Sequence, residues 1–148
     1  MAGESGAGAP RGSDDTVYAA LGEATFRALA DAFYRRVESD PALRAVFPPD
    51  LSQAAEKQAL FLIQYFGGPN TYSEKYGAPM LRMRHLPFAI DRAARDRWLE
   101  HMLAAIQEVD IPEPYASGLA EYFEQFSLQM INRAGPDAGG ATSPEDPS

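Results

Sequence analysis

The sequence predicts an all-α domain on two observations. Apolar residues recur at helical spacing through four long segments, and no stretch shows the apolar–polar alternation of a strand. With 148 residues, 45% of them hydrophobic and 23% charged, the chain can bury one sizeable core but not two.

In the first helix Phe26, Leu29, Ala30, Phe33 and Val37 recur at i, i+3, i+4, i+7 and i+11. Pro41 stops it near Asp40, because the residue before a proline is pushed out of helical backbone. A short helical turn from Pro41 to Val46 follows, ended by Pro48-Pro49. The second long helix starts at Ser52 with Leu51, Ala54, Gln58, Phe61, Leu62 and Tyr65 along its stripe, and Gly67-Gly68-Pro69 ends it.

Residues 69–91 break the pattern with Gly77, Pro79, Pro87 and several polar side chains. Only the part from Pro79 to His85 suits a helical turn or two. So long an irregular segment inside one domain is usually functional or wraps something. Two further helices follow. Residues 92–109 carry Ala94, Trp98, Met102, Ala105, Ile106 and Val109, and residues 113–132 carry Tyr115, Leu119, Tyr122, Phe123, Phe126 and Met130.

Residues 1–15 and 134–148 are rich in small and polar residues, with proline added in the second. They are expected to be disordered tails, since neither buries enough surface to offset ordering entropy. The folded domain is expected at 16–133.

Composition excludes several classes. With no cysteine there is no disulfide scaffold, zinc ribbon or thiol catalysis. The longest fully apolar run, Ala59 to Ile63, is far short of the roughly 20 residues of a membrane span. The first residues lack the basic start and apolar middle of a signal peptide, so a cytoplasmic location is expected, with no membrane partner. Net charge is −8, of which the tails hold −2 and −3, leaving −3 for the domain. An acidic chain without a basic stripe is a poor nucleic-acid binder.

There is no HExxH, P-loop, GxGxxG or nucleophile elbow. Two histidines are present: His85 ends the irregular segment among apolar residues and arginines, and His101 lies three residues after Trp98 and reads as structural. Gln58 interrupts an apolar stripe, so either its helix turns it to solvent or it faces a polar ligand, because a buried amide without partners is costly. Tyr34 and Trp98 bring two more hydrogen-bonding groups to apolar faces. Aromatic residues make up 11% of the chain. They suit either an aromatic core or a slot for a flat apolar cofactor, whose acidic groups Lys57, Arg82 and Arg84 would pair.

These residues together resemble a known family. The sequence is similar to the truncated haemoglobins, in particular their second group, over roughly residues 16–132. The likeness is carried by Phe33-Tyr34, Asp40-Pro41-Ala42-Leu43-Arg44, Gln64 through Glu74, Leu81 through Phe88, and Arg95-Asp96-Arg97-Trp98-Leu99. The resemblance implies a truncated-globin two-over-two helical sandwich around haem b. It implies His85 as the proximal ligand to iron, and Tyr34, Gln58 and Trp98 as the distal residues that stabilise bound ligand. Phe47 would pack on the haem face, Lys57 would pair with a propionate, and Phe61, Tyr72, Leu81, Arg84, Phe88, Trp98 and Met102 would complete the haem contacts. Ala54 falls where many globins keep a distal histidine, and as a small residue would leave an access route. Two departures stand out: Gly22-Glu23 replaces an early glycine pair, and Gln58 replaces what is frequently an apolar residue.

The implied activity is binding of O2, NO, CO or similar ligands with slow O2 release. That suits nitric oxide oxidation or peroxide activation, supported by an unidentified reductase, in a monomer or homodimer. The alternatives are a haem-based gas sensor or ligand-sequestering protein acting through a partner, and a helical protein that has lost haem.

Overall fold

The computed structural model of the chain describes residues 15–134. The disordered tails expected from the sequence lie, but for Asp15 and Ala134, outside the described residues. Among those residues there are helices and no strand: α1 (Val17–Leu21), α2 (Glu23–Glu38), α3 (Pro41–Arg44), α4 (Ala54–Tyr65), α5 (Thr71–Tyr76), α6 (Leu81–His85), α7 (Arg92–Glu108) and α8 (Tyr115–Met130). None is long and apolar enough to cross a membrane.

The long helices α2, α4, α7 and α8 form the two-over-two sandwich. Helix α2 packs against both α4 and α7, and α7 packs against α8. The stripe predicted for α2 is its buried face: Phe26, Leu29, Ala30, Phe33 and Val37 are all inaccessible to solvent. They meet Leu62, Met102 and Phe123 in one core.

Local chemistry sets the ends. Asp40 caps α3 by accepting from the Leu43 N–H at 3.3 Å, with Pro41 supplying the first helical residue. Asp91 caps α7 by accepting from the Ala94 N–H at 2.8 Å.

Two helices were not expected. The five residues of α1 carry too little periodicity to stand out. Thr16 caps it, its hydroxyl accepting from Ala19 N–H at 2.9 Å, and Tyr18 N–H donates to the Phe66 carbonyl at 3.0 Å. Gly22, at φ 85°, makes the sharp turn into α2, and a Cβ there would meet nothing within 4 Å. The turn therefore needs one glycine, for its backbone conformation alone, and Glu23 can open α2. The polar α5 is held from outside: Gln64 donates to the Ser73 hydroxyl at 2.8 Å and accepts from Ser73 N–H at 2.9 Å. Helix α4 begins at Ala54 rather than at the expected Ser52.

Candidate functional site

A cavity of roughly 530 Å³ opens among helices α2 through α8. That size lies within the range of about 300–1,000 Å³ of small-molecule and cofactor sites. His85, Tyr34, Gln58 and Trp98 all line it, as do Phe47, Lys57, Phe61, Tyr72, Leu81, Arg84 and Phe88. Residues spread over more than fifty positions of sequence are thus brought to one wall-to-wall space.

His85 is the last residue of α6. Its Nδ1 sits 2.7 Å from the carbonyl oxygen of Leu81, one turn earlier. With the ring proton donated there, the lone pair falls on Nε2, the tautomer that suits metal ligation. The segment around it is pinned from below. Asn132 donates to the carbonyls of His85 at 3.2 Å and Phe88 at 3.0 Å, and its Oδ1 accepts from Ile90 N–H at 2.9 Å. Arg82 donates to the carbonyls of Gln129 and Ile131 at the end of α8. It is an anchor and does not line the cavity, so it is not a cation of that rim, contrary to expectation.

The polar residues stand on three different helices. The Tyr34 ring makes edge contacts with Phe33 at 4.9 Å and Phe47 at 5.8 Å between centroids. The Trp98 ring lies 5.2 Å from Phe33 and 5.8 Å from Phe123. Among the described residues neither the Tyr34 hydroxyl nor the Trp98 indole N–H has a hydrogen-bond partner, and the buried Gln58 Oε1 has none either. An unsatisfied buried polar group costs about 1–3 kcal/mol. The Gln58 oxygen is such a group, and with the unpartnered Tyr34 hydroxyl and Trp98 N–H on the same cavity wall it fits a polar ligand in the space between them. Burial pushes the Tyr34 hydroxyl well above the ordinary tyrosine range, so it keeps its proton and acts as a donor.

Two cations stand at the rim. Lys57 has no carboxylate partner among the described residues, its Nζ lying 5.1 Å from the centre of the Tyr76 ring. Arg84 braces the turn after α5, donating to the carbonyls of Pro79 at 2.5 Å, Ala78 at 2.8 Å and Tyr76 at 2.9 Å.

Met102 is the one expected cofactor contact that the fold removes from the cavity. It is 0% exposed and sits in the central core with Phe33 and Phe123. One turn along the same face of α7, Trp98 reaches the cavity and Met102 does not.

Sequence reasoning missed two residues. Arg95 is buried on the cavity wall, its Nε donating to the Ser127 hydroxyl at 2.9 Å and its terminal nitrogen to the Glu124 carbonyl at 3.1 Å. A charged residue three before Trp98, on the buried face of α7, was the available signal. Asn132 offered no signal, because its role depends on the loop it meets. His101, read as structural, is so: its Nε2 lies 2.8 Å from Asp40 Oδ2, and Arg97 donates to the same carboxylate at 3.1 Å.

An apolar slot, one ring nitrogen free for a metal, a cationic rim and unsatisfied polar groups together fit haem. Among the described residues no cluster of three or more His, Cys, Asp or Glu is placed to hold a bare metal ion.

Comparison with known proteins agrees. The family described as bacterial-like globin matches residues 16–132. The chain is similar to the group 2 truncated haemoglobin YjbI of Bacillus subtilis, 43% identical over 116 residues, which span 78% of this chain and 88% of that protein. Among solved structures it resembles the haemoglobin of the thermophilic phototroph Chloroflexus aurantiacus, 56% identical with a TM-score of 0.77, covering 80% of this chain and 98% of that one. It also resembles the truncated oxygen-avid haemoglobin of Bacillus subtilis, 42% identical with a TM-score of 0.76, covering 80% of this chain and 100% of that one.

Proposed function

The chain belongs to the bacterial-like globin family, as a group II truncated haemoglobin, and we propose that it holds O2 tightly and acts on bound ligand rather than delivering it. Haem with iron is the cofactor of this family and O2 its ligand. The observation that carries the proposal is the set of three polar side chains without protein partners on the wall of the cavity that His85 also lines.

In this reading His85 Nε2 holds the iron, Lys57 and Arg84 pair with the acidic groups of the porphyrin, and Phe47, Phe61 and Phe88 pack on its faces and edges. When bound, haem supplies an open coordination position for a diatomic ligand and a reversible one-electron couple. A ligand that gains negative charge on binding is stabilised by donors already in place, in a cavity whose apolar walls exclude water. Tyr34 donates through its hydroxyl, Trp98 through its indole N–H and Gln58 through its amide. Each such bond contributes about 1 kcal/mol, and about 1.4 kcal/mol corresponds to a tenfold change in dissociation. Two or three donors together therefore slow O2 release by one to two orders of magnitude, on the order of 10–100-fold.

Slow release suits redox chemistry on the ligand, such as oxidation of nitric oxide to nitrate or reduction of peroxide, with a separate reductase returning electrons. The resemblance to a protein described as oxygen-avid supports the same reading. The test is the O2 dissociation rate of the haem-loaded protein, followed by nitrate formation from NO under turnover with a reductant. Rapid release would overturn the proposal. Slow release with no turnover would favour ligand sensing or sequestration through a partner.

A further inference from the structure

We propose that the exposed patch around Met80, Met83 and Leu86 is the docking surface for a small acidic electron-transfer protein, of the ferredoxin kind, that reduces the haem. The proposal rests on the redox reading of the cavity for its need of electrons from outside.

The patch stands on the helix that ends in His85. Met80, Met83 and Leu86 are 54%, 53% and 44% exposed. Helix α6 packs against α8, and none of its residues is buried. Leu81, Arg84 and His85 line the cavity from the same segment, but the three exposed residues do not, so a cofactor held there leaves them open to solvent. Met83 lies two residues before His85 and Leu86 one after it. At a rise of about 1.5 Å per residue, a partner seated on them is within one helical turn of the imidazole.

The backbone holds the patch outward. Met80 sits at φ 41°, a left-handed conformation that costs a methionine free energy. Arg84 braces the turn just before it, donating to the carbonyls of Tyr76 and Ala78. Core packing does not explain a strained methionine turned to solvent.

Charge identifies the occupant. Within residues 80–92 Arg82, Arg84 and Arg92 stand against Asp91 alone, a net +2 in a domain of −3, so the rest of the domain is −5. The fold adds Arg133, whose backbone N–H donates to the Ile90 carbonyl at 3.1 Å. None of these four arginines has an ion-pair partner among the described residues. An apolar centre ringed by uncancelled cations, on an otherwise acidic domain, steers an acidic protein to this one face. A second copy of this chain would bring like charge to like. The patch also lacks the Trp and Phe that anchor a helix in a lipid surface.

The step is a single electron transfer. One electron passes from the partner's reduced iron–sulfur cluster to ferric haem, oxidising the cluster and reducing the iron. No bond is made or broken and no proton moves.

The experiment mixes the ferric, haem-loaded protein with a reduced plant-type [2Fe–2S] ferredoxin in an anaerobic stopped flow, and titrates oxidised ferredoxin into it by calorimetry. Reduction is expected to be fast at low salt and to slow as salt screens the steering. Arg92→Glu and Met83→Glu should each slow it by about tenfold and weaken the binding, while reduction by dithionite stays at the wild-type rate. Arg35→Glu makes the same change of charge beside Glu108, at the far end of α7 from Arg92, and should leave the ferredoxin rate unchanged. Rates indifferent to Arg92→Glu and Met83→Glu, or slowed equally by Arg35→Glu, would overturn the docking surface alone. So would binding to phosphatidylserine vesicles with no response to ferredoxin. Patch-dependent reduction without any turnover of nitric oxide or peroxide would overturn the redox reading of the cavity and leave the surface standing.

Discussion

The Nδ1 atom of His85 lies 2.7 Å from the carbonyl oxygen of Leu81, one turn back along α6. A short helix thus orients its own terminal imidazole, and Asn132 holds the following backbone through the carbonyls of His85 and Phe88. The other ring nitrogen is left free, as the proposed role of iron ligand requires. Loss of outer-shell partners of a metal-binding histidine typically costs about 10–100-fold in affinity, so loss of the ligand itself should cost more. In His85→Gly the sharp Soret band of the haem-loaded protein is expected to be lost, and added imidazole should restore it. An absorption titration with haemin checks both.

Tyr34→Phe and Trp98→Phe each remove one donor and keep the ring. Each is expected to speed O2 dissociation by about fivefold, the equivalent of a hydrogen bond of about 1 kcal/mol. Stopped-flow displacement of O2 by CO measures the rate. Unchanged rates in both variants would sink the distal account.

Met102→Ala separates core from cavity. Its side chain is fully buried away from the haem space, so the variant should lose about 2–5 kcal/mol of stability, as large-to-small core changes do. O2 dissociation should stay at the wild-type rate. Denaturant unfolding and the same stopped-flow assay give the two readings.

Gly67 has φ 105°, and a Cβ there would lie 2.4 Å from Thr16 Cγ2. Gly67→Ala combines a strained backbone with a clash against the segment that opens α1. A loss of about 1–3 kcal/mol is expected, read from the denaturant midpoint. Gly22→Ala meets only the backbone strain and should cost less.

Asp40 ties the α2–α3 junction to α7. Its hydrogen bonds to His101 and then Arg97 hold its carboxyl well below the usual carboxylate range. A carboxyl with a lowered value in the fold contributes stability that is fully present above its unfolded value of about 3.9 and is lost as pH falls towards the lower folded value. Asp40→Asn should therefore melt at a lower temperature than the wild type at neutral pH, and the gap should close below about pH 4. A gap constant down to pH 2 would show that the charge is not what Asp40 contributes.

Much of the fold is written in periodicity. The stripes of α2, α7 and α8 name buried residues because a helix in a small domain must turn its apolar face inward. The catalogue of the site was legible through motif likeness, since Tyr34, Gln58, His85 and Trp98 all reach one cavity. Periodicity does not say what an inward face meets. Trp98 and Met102 share a face of α7 at i and i+4, yet Trp98 packs on the core and also reaches the haem cavity, while Met102 lies wholly in the core.

The arginines teach the same lesson. Arg82 and Arg84 are two residues apart, equally basic and equally plausible as cofactor cations. Their hydrogen bonds separate them, Arg82 going to the end of α8 and Arg84 to the turn after α5. His101, Arg95 and Asn132 gain their roles only from partners that lie far along the chain. Local sequence dictated helices, caps and breaks, because those depend on neighbours within a few residues. Which side chains share a cavity, a carboxylate or a ring contact was decided by tertiary packing, because those groups are adjacent only after the long helices close on one another.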